Sequence, residues 1–149
     1  MAAADVRVSP EVFLQMGRDI LAKQAFSRLL GTELTRLSPG EVELQLPMRD
    51  DLTQQHGFAH GGVVSYLADN ALTYAGGTAM QVPVVTSEFK VNYVRPAVGE
   101  RLIARASAVA VSKTQAVCRC DVFAVKDGAE KLCAVAQGTI VRLGEGAAA

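Results

Sequence analysis

One stretch of the chain, residues 60–80, constrains the fold more than any other. Its apolar residues recur at the i, i+3, i+4, i+7 spacing of an α-helix. They are Val63, Val64, Leu67, Ala68, Ala71, Leu72 and Ala75. Asp69 is the only charged side chain in the stretch. A helix with so little charge on any side belongs in the interior of a protein, so it needs cover on more than one side.

Extended segments before and after this helix can provide that cover. Residues 33–37 lead into a Ser-Pro-Gly turn, and residues 41–46 then alternate between polar and apolar side chains. Four further segments are predicted as strands: residues 85–94, 101–111, 114–126 and 131–143. The sequence Lys-Asp-Gly at positions 126–128 is typical of a hairpin turn. Long strands joined by short turns indicate an antiparallel sheet.

The first strand after the helix has two distinct faces in this prediction. Its apolar face is expected to carry Val85, Phe89, Val91 and Tyr93. Its polar face is expected to carry Thr86, Glu88, Lys90 and Asn92.

The fold class follows from the order of these elements. Residues 12–30 predict one broken helix or two short ones, with Ser9 as N-cap and Gly31 at the end. One long helix after a hairpin cannot build βαβ repeats, so the class is α+β. We expect an antiparallel sheet of five or six strands around the central helix. The 149 residues predict a single domain over residues 1–149, with loose tails at 1–7 and 144–149.

Composition argues against several kinds of partner. The 15 basic and 15 acidic residues leave no basic excess for nucleic acid, and the chain has no Trp. Its apolar runs are far shorter than the roughly 18–20 residues that span a bilayer. The N-terminal residues show no secretory signal, and Cys118, Cys120 and Cys133 are expected to be reduced core thiols. We therefore expect a cytoplasmic protein that binds neither nucleic acid nor membranes.

Residues able to do chemistry gather where the central helix begins. Both histidines of the chain, His56 and His60, precede the pair Gly61-Gly62. Glycines at a helix start leave backbone N–H groups uncovered, at the positive end of the helix dipole. An oxyanion or a polarised carbonyl could bind there. His60 could also serve only as a cap for the helix.

Asp69 lies about two turns further along the helix. An aspartate in mid-helix is ordinarily exposed, but residues 60–80 contain no Lys or Arg to accompany it on a solvated face. Helical geometry places it outside the apolar stripe, on the side of Tyr66 and Thr73. A lone carboxylate in such a helix is costly unless it has a function. No metal is expected, because His56, His60 and Asp69 lack the spacing of a ligand set.

Several segments together resemble a known family. The pattern His-Gly-Gly at 60–62, six residues, then Asp69 resembles hotdog-fold acyl-CoA thioesterases of the PaaI-like (phenylacetate-degradation) branch. Residues 89–100 and 136–139 are similar to other signatures of that family, and the resemblance covers residues 26–143. It implies the hotdog fold and hydrolysis of an aryl- or fatty-acyl-CoA, with no cofactor beyond the CoA of the substrate. The alternative is a non-catalytic protein that binds acyl-CoA or aromatic acids.

The resemblance also implies roles for individual residues. Asp69 would be the nucleophile or general base, Gly61 would offer its N–H to the thioester carbonyl, and His60 would orient the loop. Gln54 would polarise the carbonyl or place a water. PaaI-like members usually have Asn at that position, and a Gln is found in a related 4-hydroxybenzoyl-CoA branch that pairs it with Glu. This departure leaves the substrate open.

Two further groups have alternative candidates. The hydroxyl that holds the attacking water would be Thr86, at the family's Ser/Thr position, or Thr73, one turn beyond the aspartate. The CoA phosphates would be bound by Arg95, with Lys90 and Lys113 as the next candidates.

The spacing of the helix residues predicts an assembly. Gly61 and Asp69 are eight residues apart, about 12 Å along a helix. An attacking group must lie within about 3–3.5 Å of the carbonyl carbon. Two antiparallel copies of the helix across a two-fold axis would bring Gly61 of one subunit beside Asp69 of the other. We therefore expect at least a homodimer, and a homotetramer of two such dimers, with active sites at the subunit interface.

Overall fold

The computed structural model describes residues 7–146 and opens with two short helices. Helix α1 spans Pro10–Lys23 and helix α2 spans Ala25–Leu30. As predicted, the Ser9 side chain caps α1 and accepts a backbone N–H at 3.3 Å. The break falls at Gln24, and Gly31 ends α2 with a φ of 78°. The predicted tails lie outside the described residues, apart from Arg7 and residues 144–146, which form no helix or strand.

Six antiparallel strands form one sheet, at the upper end of the predicted number. They are β1 Glu33–Ser38, β2 Glu41–Pro47, β3 Val84–Tyr93, β4 Arg101–Val111, β5 Gln115–Lys126 and β6 Ala129–Arg142. Their order across the sheet is β1-β2-β4-β5-β6-β3. Strand β3 therefore forms an edge, paired with β6 on one side only within the described part of the chain.

Helix α3, Gly61–Met80, lies across one face of this sheet. The predicted apolar stripe is buried against the strands. Helix α3 continues through the Gly-Gly pair at 76–77 to Met80. Gly76 packs against β6 so closely that an added Cβ would lie 2.7 Å from the Cβ of Ile140. In the single chain, the side of α3 with Ser65, Asp69 and Thr73 is only half-buried, because one sheet covers one side.

The predicted faces of β3 are wrong at its beginning. Val85 is 44% exposed, whereas Thr86 faces α3 and bonds to it. The reason is a β-bulge at Ser87, which has no partner between the pairs Thr86–Ile140 and Glu88–Thr139. A bulge inserts one extra residue and reverses the alternation that follows it.

The three cysteines are buried free thiols, as predicted. Burial raises the pKa of Cys118 and of Cys133 to about 11, so both are protonated at neutral pH. No helix within residues 7–146 is long and apolar enough to cross a membrane.

Candidate active site

His60 caps the start of α3 with its side chain. The Nδ1 atom accepts a hydrogen bond from the backbone N–H of Gly62 at 2.8 Å. A neutral imidazole in this position therefore carries its proton on Nε2. Gly62 leaves room for the ring, because a Cβ there would lie 2.9 Å from Nδ1. The structure thus places His60 as a cap that fixes the first turn of the helix.

Gly61 opens the helix with an unused backbone donor. No hydrogen bond between described residues uses its N–H, while its carbonyl accepts the hydroxyl of Tyr93 at 2.9 Å. Its φ is not in the left-handed region, and an added Cβ would approach only the Tyr93 ring, 3.4 Å from the hydroxyl. The backbone conformation therefore does not require glycine, and the free N–H lies at the positive end of a 20-residue helix.

Three of the predicted site residues line one open groove of about 440 Å³ beside this helix start. They are Gln54, Gly61 and Arg95. The loop before α3 is fixed there by two backbone bonds, from Ala59 N–H to the carbonyl of residue 97 and from His60 N–H to that of residue 52, each 2.9 Å. The Oε1 atom of Gln54 accepts a backbone N–H within its own turn. Its Nε2 group is left as the donor available to a ligand.

Asp69 forms a second cluster with both candidate hydroxyls. Thr86 on β3 donates to Oδ1 of Asp69 at 2.6 Å. Thr73 lies 3.1 Å from the Thr86 hydroxyl and donates to the backbone carbonyl of Asp69 at 2.9 Å. Among residues 7–146 no hydrogen bond reaches Oδ2 and no cation pairs with the carboxylate. One carboxylate oxygen is therefore fixed, and the other is open to a ligand or a water.

The two clusters lie at different places along α3. Eight residues separate Gly61 from Asp69, so the axial distance is about 12 Å. Tyr66, which was expected beside Asp69, turns instead toward α2 and donates to Ser27 Oγ at 2.6 Å. Its hydroxyl also bonds Thr32 at 2.8 Å. Within a single chain, the groove beside Gly61 and the Asp69 carboxylate are therefore separated by about two turns of the helix.

Comparison with known proteins identifies the family of this chain. The sequence profile of the Thioesterase superfamily matches residues 56–131. This range includes all the candidate site residues described above except Gln54. The chain belongs to this superfamily. Human acyl-coenzyme A thioesterase 13 is 32% identical over 94 residues, which cover 61% of this chain and 67% of that protein.

Solved thioesterase structures share the fold. A thioesterase family protein from Silicibacter pomeroyi superimposes with a TM-score of 0.82 at 39% identity, covering 89% of this chain and 99% of the other. A mutant of the phenylacetic acid degradation protein PaaI from Thermus thermophilus gives a TM-score of 0.69 at 38% identity, covering 79% and 98%. The resemblance to hotdog, PaaI-like thioesterases is therefore confirmed, and so is the predicted fold.

The structure does not bring the three predicted phosphate ligands together. Arg95 lines the groove, whereas Lys90 is exposed in the middle of β3. Lys113 lies in the β4–β5 turn, at the end of the sheet opposite Tyr93. His56 is exposed, 6.4 Å from the ring of Phe58. Within residues 7–146 no three His, Cys, Asp or Glu side chains gather as a metal site would require.

Sequence reasoning missed one contact of the site. The Tyr93 hydroxyl binds the carbonyl of Gly61 and so ties the end of β3 to the start of α3. Alternation placed Tyr93 on the helix-facing side of the strand, which was the available signal. Its partner could not be read from the sequence, because the contact joins residues 32 positions apart.

Proposed function

We propose that this chain hydrolyses acyl-CoA thioesters to a free acid and CoA, with an aryl or fatty acyl group. The observation that carries the proposal is the 2.6 Å bond from Thr86 to Asp69, on a helix with no other charge. The bond orients the carboxylate and leaves Oδ2 open. An oriented carboxylate can take a proton from water or attack the carbonyl carbon itself.

The groove beside Gly61 would hold the thioester carbonyl. Its oxygen gains negative charge as the tetrahedral intermediate forms, and backbone N–H donors at a helix start stabilise such charge. Gln54 lines the same groove, and its Nε2 group would be the second donor. His60 acts as a positioning residue, because it holds the first turn without lining this groove.

In the general-base form of the reaction, Asp69 removes a proton from a water held beside Thr86. The water oxygen then bonds to the carbonyl carbon, and the C–S bond breaks when the intermediate collapses. The thiolate of CoA leaves and receives the proton. In the nucleophilic form, Oδ2 of Asp69 bonds to the carbonyl carbon, and the C–S bond breaks as the thiolate of CoA leaves and takes up a proton. Water then cleaves the resulting mixed anhydride, which releases the free acid and restores the Asp69 carboxylate. Neither form needs a metal or a redox cofactor.

The exposed edge of β3 would complete the site through a second copy of the chain. Strand edges are available for pairing, and the β3 edge is flanked by half-exposed apolar side chains at Val85, Tyr93 and Val94. Antiparallel pairing of two β3 edges would place the Thr86 end of one strand opposite the Tyr93 end of the other. Asp69 of one subunit would then approach Gly61 of the partner. We propose this dimer as the minimum active unit and a pair of dimers as the assembly.

Complementation tests whether the site is shared. Asp69→Asn and Gly61→Pro chains, each inactive alone, should regain activity when they are unfolded and refolded together. Random mixing makes about half of the dimers mixed, each with one intact site, so about a quarter of wild-type activity should return. No recovery in mixtures shown by mass spectrometry to contain the mixed dimer would place the whole site within one chain.

The proposed reaction is tested with a panel of aryl- and fatty-acyl-CoA substrates, read with a reagent for free thiols. We expect at least one substrate to be cleaved with saturation kinetics. Binding of acyl-CoA without thiol release from any substrate would instead make this a non-catalytic binding protein. The three buried free thiols also lead us to propose a cytoplasmic location.

A further inference from the structure

A second groove continues from the first toward the β5–β6 hairpin. It measures about 380 Å³ and shares Phe58, Arg95 and Pro96 with the groove beside Gly61. Its far end is lined by Lys126 and Lys131. The two adjoining grooves, called the channel below, extend from the start of α3, past Arg95, to two lysines.

The two lysines lie on the same face of the hairpin. Lys126 pairs with Ala129, and Lys131 pairs with Ala124 on the neighbouring strand. Lys126 and Lys131 are therefore diagonal neighbours, about 7–8 Å apart at the backbone. The two alanines line the floor between them. Small side chains at these positions leave an anion room to contact both ammonium groups.

No residue that the structure describes neutralises the positive charge of this channel. Arg95, Lys126 and Lys131 make no ion pair or side-chain hydrogen bond with any described residue. Glu130 lies between the lysines on the opposite face of the hairpin, where it is bound by Arg105 at 2.7 Å. Unpaired cations along a concave surface attract anions.

We propose that Arg95, Lys126 and Lys131 bind the phosphate groups of CoA, which deepens and rests on the proposed thioesterase function. The uncharged pantetheine arm would follow the channel over Pro96 and Phe58, and the nucleotide phosphates would meet the lysines. The acyl group would then extend from the thioester in the opposite direction, away from the hairpin. This assignment replaces Lys90 and Lys113 as partners of Arg95.

Paired substrates with and without phosphates test the assignment. The variants are Lys126→Gln, Lys131→Gln, the double variant and Arg95→Gln, assayed on CoA, dephospho-CoA and pantetheine thioesters of one acid. We expect each single substitution to raise KM for the CoA thioester about three- to tenfold. This loss lies between that of an exposed ion pair and that of a buried hydrogen bond to a charged group. For the lysine variants, which lie outside the groove beside Gly61, kcat should not change, and kcat/KM for the pantetheine thioester should not change either. Lys23→Gln, the same substitution on α1, is the matched control.

The dephospho-CoA thioester identifies which phosphate is bound. If the lysine substitutions do not raise KM for the dephospho-CoA thioester, the hairpin binds the 3′-phosphate. If they raise this KM as they raise KM for the CoA thioester, the hairpin binds the diphosphate. The proposal is overturned if the double variant leaves KM for the CoA thioester unchanged, or if KM for the pantetheine thioester rises equally. The affinity for free CoA, measured by calorimetry, tests phosphate binding independently of whether the protein hydrolyses a thioester. Weaker CoA binding in the variants would support the channel even if no thioester were cleaved.

Discussion

Asp69→Asn is expected to lower kcat by at least about 100-fold, the low end of the contribution from a general acid–base group. Asparagine keeps the volume of the side chain, and its carbonyl oxygen can still accept the 2.6 Å bond from Thr86. The change therefore removes the charge and the basicity while preserving the local contacts. Steady-state kinetics on the best substrate of the panel measures the effect.

The thermal midpoint of the same variant should stay level or rise. The carboxylate is half-buried and has no cation within the described residues to compensate its desolvation. Asp19→Asn is the matched control, because Asp19 is an exposed helical aspartate bonded only to Gln15. Near wild-type turnover by Asp69→Asn would remove this residue from the mechanism, whatever its stability.

Gly61→Pro should reduce kcat by about 100- to 1,000-fold, the loss seen when one oxyanion donor is removed. Proline is well tolerated at the first helical position, where its missing N–H is not needed by the helix. His60 already has φ −60° and ψ 137°, the extended conformation that a residue before proline prefers. The substitution therefore deletes a donor that no described residue uses, with little effect on the fold.

Gly61→Ala separates loss of the donor from added bulk. Alanine keeps the N–H and places a Cβ 3.4 Å from the Tyr93 hydroxyl, so we expect less than about a tenfold loss of kcat. Circular dichroism and the thermal midpoint of both variants should match those of the wild type. Equal activity of the proline and alanine variants would show that the N–H of Gly61 does not bind the carbonyl.

The central helix and its site residues could be predicted because local signals agree there. The apolar spacing, the glycine pair and the single charge of residues 60–80 all describe one buried helix with uncovered backbone N–H groups at its start and one carboxylate about two turns further on. His60, Gly61 and Asp69 consequently lie where the sequence placed them. The capping role of His60 also follows from its position just before the helix.

The remaining features depend on contacts that local patterns do not encode. The bulge at Ser87 reverses the alternation of β3, so Thr86 bonds to Asp69 although the alternation groups it with the polar side chains of the strand. Tyr66 bonds with α2 because that helix folds back over α3, a tertiary arrangement invisible in the periodicity. The lysines of the β5–β6 hairpin join the groove of Arg95 only through the sheet register.

The bulge also restricts how the length of β3 can vary. Thr86 contacts α3 at Asp69 and Tyr93 contacts it at Gly61, although the two strand residues are an odd number of positions apart. In a regular strand, an odd separation turns two side chains to opposite faces. Inserting or deleting a single residue between them would therefore rotate one of the two away from the helix. The number of positions from one contact residue to the other must therefore stay odd, and the length of this part of β3 can change only in steps of two residues if both contacts are to be kept.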